Sequence, residues 1–380
     1  MTKLAVFSTK PYDKHYLQAA CPPDANIQLI FHSVPLNPET VSLVTKDSAD
    51  AVCVFVNDKL PAPVLSHLAS AGVRAILLRC AGSNNVDLVA AQSLGLPVAN
   101  VPAYSPEAVA EFALALLQTL NRKTHRAHAR VREGNFSLDG LVGRTLRGKT
   151  VGIIGTGRIG IAFARIMSAG FGCRVIAHDP FPNPAFEPYG TYVDSLDDLL
   201  PQCDVLSLHC PLTESTKHVI NAHTLSLLPD RAILVNTSRG GLVDTKALIE
   251  ALKARKLAGV ALDVYEEEAP LFYHDHSDTI IQDDVIMRLL TFPNVLVCGH
   301  QAFFTEEALQ EIADCTVRNL QDIVAGRPCE NNLVSDSSPD VSDGEANGKA
   351  NGQVDDGPAA AATAGPKRIR RSDSLPVRTV

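Results

Sequence analysis

The sequence predicts an α/β protein with two doubly wound parallel-sheet domains, followed by a disordered C-terminal tail. Three observations carry that reading. An apolar run from Val151 to Ile154 meets three glycines, Gly155, Gly157 and Gly160, and continues as an amphipathic stretch from Ile161 to Met167. Short apolar runs alternate with helix-like stretches on both sides of it. A chain of 380 residues with 46% hydrophobic content exceeds the usual size of one core, which favours two domains.

Up to about Val101, the runs Leu4 to Phe7, Ala51 to Val56, Ala75 to Leu78 and Pro97 to Ala99 read as strands at the spacing of a parallel sheet. Ser8-Thr9-Lys10-Pro11 follows the first of them with no glycine turn, which makes this unit a poor place for a cofactor. Ser105 then suits an N-cap, Pro106 the first helical position and Glu107 the positive end of a helix dipole. Apolar Val109, Ala110, Phe112, Ala113, Leu116 and Leu117 follow, so a long helix is expected to cross between the domains here. The polar stretch from Arg122 to Gly148 leads into the strand before the glycines.

The glycine spacing has a steric logic. Gly155 permits the sharp turn out of a strand, Gly157 has no Cβ to hold a pyrophosphate off the backbone, and Gly160 allows helix and strand to pack closely. Backbone N–H groups at the start of the following helix would face the anion. Cys173 to Ala177 reads as the next strand, and Asp179 stands at its end, about 20 residues past the turn, where a carboxylate accepts ribose hydroxyls. An acid there repels a 2′-phosphate, so the expected cofactor is NAD and not NADP. Val205 to Leu208, Ala232 to Val235, Gly259 to Leu262 and Val295 to Cys298 complete what reads as a six-stranded type of dinucleotide domain. Glu306 to Val324 reads as a helix with no strand of its own, expected to return to the first domain. The resulting organisation is a discontinuous domain of residues 1–101 and 301–334 around a second of residues 102–300.

The net charge of −8 argues against a nucleic acid or an anionic membrane as partner. Nine cysteines without a paired spacing read as reduced thiols, and no metal site is expected. No run resembles a signal peptide or a membrane span, so a cytoplasmic protein is expected. From about residue 335 to 380 Asp, Ser, Gly, Asn and Ala dominate, a composition too poor in apolar side chains to offset ordering entropy. Within it Arg371-Ser372-Asp373-Ser374-Leu375-Pro376 resembles a 14-3-3 docking site for phosphorylated Ser374.

Three residues at later strand ends could do chemistry: Arg239 after Val235-Asn236-Thr237-Ser238, Glu268 in the acid run after Asp263, and His300 after Val297-Cys298-Gly299. The arginine fork matches a carboxylate in two parallel hydrogen bonds. A histidine can give or take a hydroxyl proton, and a carboxylate behind it orients the ring. By residue type alone, a surface ion pair, a solvated or core histidine and a solvated acidic face are the commoner uses of such residues.

Longer segments distinguish these possibilities. Arg79-Cys80-Ala81-Gly82-Ser83-Asn84-Asn85-Val86-Asp87, Val101-Pro102-Ala103-Tyr104-Ser105-Pro106-Glu107, Leu208-His209-Cys210-Pro211-Leu212-Thr213, Asn236-Thr237-Ser238-Arg239-Gly240 and Gly299-His300-Gln301-Ala302-Phe303 resemble the D-isomer-specific 2-hydroxyacid dehydrogenases, and most closely the fermentative D-lactate dehydrogenases. The resemblance runs from Lys3 to about Val334. It implies a flavodoxin-like substrate domain, a Rossmann NAD-binding domain, and Arg239, Glu268 and His300 as catalytic residues acting on pyruvate. Arg158 and Ile159 would lie at the pyrophosphate turn, and Cys210, Pro211 and Thr216 along the cofactor. Thr237 and Asp263 would border the nicotinamide end, with Ser238 beside them on the cofactor. Ala81, Gly82, Ser83, Tyr104 and Phe303 would line the substrate pocket. Ser83 departs from the larger apolar side chain of close relatives, which keeps open a branched 2-keto acid, glyoxylate or hydroxypyruvate as substrate. An NAD-sensing transcriptional corepressor of the same fold is a further alternative. The family also implies a homodimer or homotetramer.

Overall fold

The computed structural model describes residues 1–22 and 24–334, so the tail and Ser374 lie outside the described residues. Parallel strands that are covered on both faces need apolar side chains on both, which is why they read as continuous runs. Ala51–Val54 and Ala75–Leu78 are buried at every position and stand centrally as β3 and β4. With β1 (Thr2–Val6), β2 (Ile27–Phe31) and β5 (Val98–Ala99) they form a parallel sheet of order β2-β1-β3-β4-β5. β2 was not expected from the sequence. It is an edge strand whose residues are all partly exposed, and Gln28 breaks its apolar run.

The second sheet contains β6 (Thr150–Ile154), β7 (Arg174–His178), β8 (Thr191–Tyr192), β9 (Val205–Leu208), β10 (Ile233–Asn236), β11 (Gly259–Leu262) and β12 (Val295–Val297), in the order β12-β11-β10-β9-β6-β7-β8. Seven strands replace the expected six-stranded type. β8, at one edge, is a two-residue strand too short to leave a periodic signal.

Helices α1 (Pro11–Ala20), α2 (Ser42–Asp47), α3 (Ala62–Ser70) and α4 (Leu88–Ser93) connect the first five strands. Then come α5 (Pro106–Arg122), α6 (Thr124–Arg132), α7 (Arg158–Arg165), α8 (Leu196–Leu199), α9 (Ala222–Leu227), α10 (Thr245–Lys253), α11 (Asp284–Leu290) and α12 (Glu306–Val324). α5 starts as its sequence dictates, with the Ser105 hydroxyl accepting the N–H of Ala108 at 3.1 Å, and it packs on α7, β10 and β11. α6 lies within the polar stretch that leads to β6, where the sequence suggested no element; it has no buried residue, so no apolar stripe announces it. α12 packs on α1 and β4, and the chain therefore returns to the first sheet after the second is complete.

Alternation along β4 feeds two cores: Ile76 and Leu78 meet Leu65 and Leu68 on one face, while Ala75 and Leu77 meet Leu17, Ala313 and Leu320 on the other. Each fully buried leucine or isoleucine among them is worth roughly 1.5–3 kcal/mol. In both sheets the strand order reverses once, between β1 and β3 and between β6 and β9, and ligands of doubly wound sheets sit beyond the carboxyl ends at such points. No helix among the described residues is long and apolar enough to cross a membrane.

Candidate active site

β6 delivers the chain to Gly155, whose φ is +97°, and a Cβ there would stand 2.6 Å from the backbone nitrogen of Cys210. A Cβ on Gly160 would stand 2.1 Å from the Gly155 carbonyl oxygen. Both glycines are thus required by the chain itself. Gly157 is different, because a Cβ there meets nothing within 4 Å. Its bareness faces open space at the start of α7, where a ligand's approach is the remaining reason for it.

Asp179, just past β7, is tied to this turn. Its Oδ2 accepts from the Thr156 N–H at 2.6 Å and from the Thr156 hydroxyl at 2.9 Å, and its Oδ1 accepts from the Phe181 N–H at 2.9 Å. The carboxylate is therefore oriented by the protein, and ribose hydroxyls would share its oxygens with these donors.

The loop after β10 is locked before it presents Arg239. Asn236 donates to the Arg239 carbonyl at 2.9 Å and accepts from the Ser238 N–H at 3.0 Å, and the Ser238 hydroxyl donates to the Cys210 carbonyl at 2.7 Å. The guanidinium lies against the loop after β4, where a Cβ on Gly82 would come 2.7 Å from Nη2. Gly82 thus makes room for the cation of the other sheet.

His300 follows β12 with a φ of +54°, an uncommon conformation for a non-glycine residue. Three bonds hold it there: its N–H donates to the Asp263 carbonyl at 2.7 Å, its carbonyl accepts from the Tyr273 hydroxyl at 2.9 Å, and its Nδ1 meets Glu268 Oε1 at 2.7 Å. The second oxygen of Glu268 accepts from the Tyr265 N–H at 3.0 Å. With Glu268 ionised, Nδ1 is the donor, which leaves Nε2 for the cleft. Behind the pair, the fully buried Asp263 carboxylate accepts from the N–H groups of Gln301 at 2.9 Å and Ala302 at 2.7 Å. Burial pushes its pKa up to about 6, against those two bonds, which favour the charged form. Burial pushes the pKa of His209, which also lines the cleft, down to about 3, and its Nε2 meets the Ser207 hydroxyl at 2.9 Å.

The carboxyl ends of the two sheets face a cleft of about 560 Å³. Ala81, Gly82, Ser83, Tyr104 and Phe303 line it with the first sheet, and Arg239 and His300 stand between the halves. Gly157, Arg158, Ile159, Cys210, Pro211, Thr237 and Ser238 line the other side. Glu268 reaches an adjoining cavity shared with Arg239 and His300. The remaining expected residues stand back from the cleft: Gly155 and Gly160 shape the turn, Asp179 orders it, Asp263 is buried behind His300, and half-buried Thr216 closes its own turn by donating to the Pro211 carbonyl at 2.7 Å.

Cofactor fit can be judged from Thr237. Its hydroxyl is buried without a hydrogen-bond partner beside the cleft, an arrangement that costs free energy unless a polar ligand meets it. Together with the bare Gly157, it suits a dinucleotide laid across these strand ends.

Tyr273 was missed by sequence reasoning. It anchors the His300 carbonyl and packs edge-on against Phe55 with 5.1 Å between centroids, yet it sits in a loop with no periodicity. Arg79 also gave no functional signal; it is buried and paired with Asp13 at 3.1 Å, beneath the Phe55 ring.

Residues 114–302 match the family described as D-isomer specific 2-hydroxyacid dehydrogenase, NAD binding domain. The chain is 65% identical to 2-hydroxyacid dehydrogenase A of Aspergillus oryzae over 334 residues, covering 87% of this chain and 95% of that protein. The chain belongs to the D-isomer specific 2-hydroxyacid dehydrogenase family. This dehydrogenase is also 61% identical to D-lactate dehydrogenase kk1H of Curvularia clavata, covering 87% of this chain and 95% of that protein. It superposes on the apo structure of the D-lactate dehydrogenase of Escherichia coli with a TM-score of 0.79 at 48% identity, covering 88% of this chain and all of that one. NAD is accordingly the cofactor of its second sheet.

Proposed function

We propose that this dehydrogenase interconverts pyruvate and D-lactate. The observation that carries the proposal is the convergence of Arg239 and His300 on the cleft that the glycine turn enters, with the Glu268 carboxylate bonded to His300 from the adjoining cavity. The names of the Curvularia clavata and Escherichia coli relatives support it. Gly157, Arg158 and Ile159 would hold the pyrophosphate, Asp179 the adenosine ribose, and Cys210, Pro211, Thr237 and Ser238 the remainder of the cofactor, with Thr216 and Asp263 supporting these loops from behind. Bound NADH supplies a hydride to the carbonyl carbon, or NAD takes one from the alcohol.

Arg239 binds the substrate carboxylate through its fork and draws electron density toward the carbonyl oxygen. His300 Nε2 gives the proton that this oxygen needs as it becomes a hydroxyl, and takes it back in the reverse direction. Glu268 holds Nδ1–H, so the ring cannot turn and the charge it carries when protonated is balanced. Ala81, Gly82, Tyr104 and Phe303 enclose the small end of the substrate and exclude water. The same reading places the substrate domain at residues 1–101 and 301–334 and the NAD domain at 102–300, in a cytoplasmic homodimer or homotetramer.

Ser83 favours a second reading, because its short side chain lines the cleft and leaves room for a bulkier 2-keto acid. Turnover of NADH with pyruvate, 2-ketoisocaproate, hydroxypyruvate and glyoxylate tests both. Highest kcat/KM for pyruvate supports the proposal, and highest kcat/KM for 2-ketoisocaproate replaces it with the second reading.

A further inference from the structure

The loop between β11 and α11 carries both side chains that hold His300, the Glu268 carboxylate and the Tyr273 hydroxyl. It leaves the seven-stranded sheet and meets loops of the five-stranded one. Lys10, in the segment Ser8-Thr9-Lys10-Pro11 past β1, donates its Nζ to the Tyr273 carbonyl at 2.7 Å. Asn57, past β3, donates to the Phe272 carbonyl at 3.4 Å, and the Phe55 ring packs against Tyr273 from the same side.

Tyr273 has a φ of +67°, a conformation that a bulky residue keeps only where its surroundings impose it. Its two polar ends point to different sheets: the hydroxyl donates to the His300 carbonyl at 2.9 Å, and the carbonyl accepts from Lys10. Burial pushes the hydroxyl well above the ordinary tyrosine value, so it stays a donor. One side chain therefore separates Lys10 from His300.

Lys10 is anchored in turn by a buried pair. Its N–H donates to Asp13 Oδ2 at 2.8 Å, and Asp13 meets Arg79 at 3.1 Å. Arg79 Nη2 also donates to the carbonyl of Ser8, whose φ is +51°, and the guanidinium lies 4.9 Å from the centre of the Phe55 ring. A buried ion pair is weak evidence for stability as such, because desolvation offsets most of the attraction. This one fixes Lys10 by one route and Phe55 by another, and both routes end on Tyr273.

We infer that Lys10 is a positioning residue for the reaction, setting His300 through Tyr273 and so tying the proton donor of one sheet to the other sheet. The inference rests on the reading of His300 as that donor. Lys10 lines none of the cavities around Arg239 and His300, so it acts through position and touches neither substrate nor cofactor.

Steady-state kinetics of the full chain, with the 2-keto acid of highest kcat/KM, test the inference. Lys10→Met keeps the stem and removes the ammonium, and Tyr273→Phe removes only the hydroxyl. Each should lower kcat roughly three- to tenfold, as the loss of one hydrogen bond would, with KM for the keto acid and the NADH dissociation constant nearly unchanged. Both changes break one link, so the double variant should be no slower than the slower single variant. Unchanged kcat in Lys10→Met overturns the inference, as do multiplied losses in the double variant and a rise in KM in place of the fall in kcat. His300→Ala, assayed alongside, separates the two levels. Full kcat there removes the proton-donor reading and the inference with it, whereas a large loss there with Lys10→Met unaffected overturns the inference alone. Thermal denaturation checks folding, and Lys10→Gln takes the place of Lys10→Met in the cycle if the latter does not fold.

Discussion

Glu268 Oε1 and His300 Nδ1 stand 2.7 Å apart although 32 residues separate them in the chain. One residue comes from the loop after β11 and the other from the end of β12, two neighbouring strands, so the pairing is made by the sheet. Glu268→Gln keeps the size and an acceptor but removes the charge. It should lower kcat for the keto acid by roughly 10–100-fold and leave the NADH dissociation constant unchanged, whereas His300→Ala should cost roughly 10²–10⁴-fold in kcat. Single-turnover kinetics separate these effects from binding.

Gly82 and Arg239 supply a second expectation. A methyl at position 82 meets the flexible end of the arginine at 2.7 Å, so Gly82→Ala displaces the guanidinium without disturbing backbone. KM for the keto acid should rise about tenfold, with thermal stability nearly unchanged. Arg239→Lys keeps a charge but loses the fork, and should raise KM and lower kcat together.

The three glycines of the turn should separate folding from binding. Gly157→Ala has open space for its methyl, so the protein should fold normally and bind NADH at least tenfold more weakly. Gly160→Ala drives a methyl to 2.1 Å from a backbone oxygen and should cost stability, by roughly 1–3 kcal/mol or more. Thermal denaturation alongside NADH titration distinguishes the two.

Asp263 sets a pH dependence. Its pKa is raised from 3.8 to about 6 in the folded state, so between those values the native protein holds a proton that the unfolded chain has lost. That linkage favours folding at the acid end of the window and is lost as pH rises through it, by about 3 kcal/mol. Measured against Asp263→Asn, which cannot titrate, the stability advantage of the native residue should shrink by about that amount between about pH 4 and pH 7. A constant difference across the range would show that Asp263 titrates normally.

Much of this was legible because parallel strands buried on both faces leave continuous apolar runs, as at Ala75–Leu78 and Gly259–Leu262. The glycine turn was legible because its constraints are local and steric. β2 and β8 were not, since edge strands carry half-exposed or very short runs, and α6 was not, since no face of it is buried. Arg239, Glu268 and His300 could be named only from the segments around them. That Tyr273 holds His300 and that Gly82 clears space for Arg239 depends on long-range approach, which leaves no periodic mark.

The most direct test of the central claim is to supply pyruvate and NADH to the purified protein, follow NADH oxidation, and resolve the product on a chiral column. The account predicts one D-lactate formed for each NADH consumed. L-lactate as product, or NADH binding with no turnover of pyruvate, would contradict it.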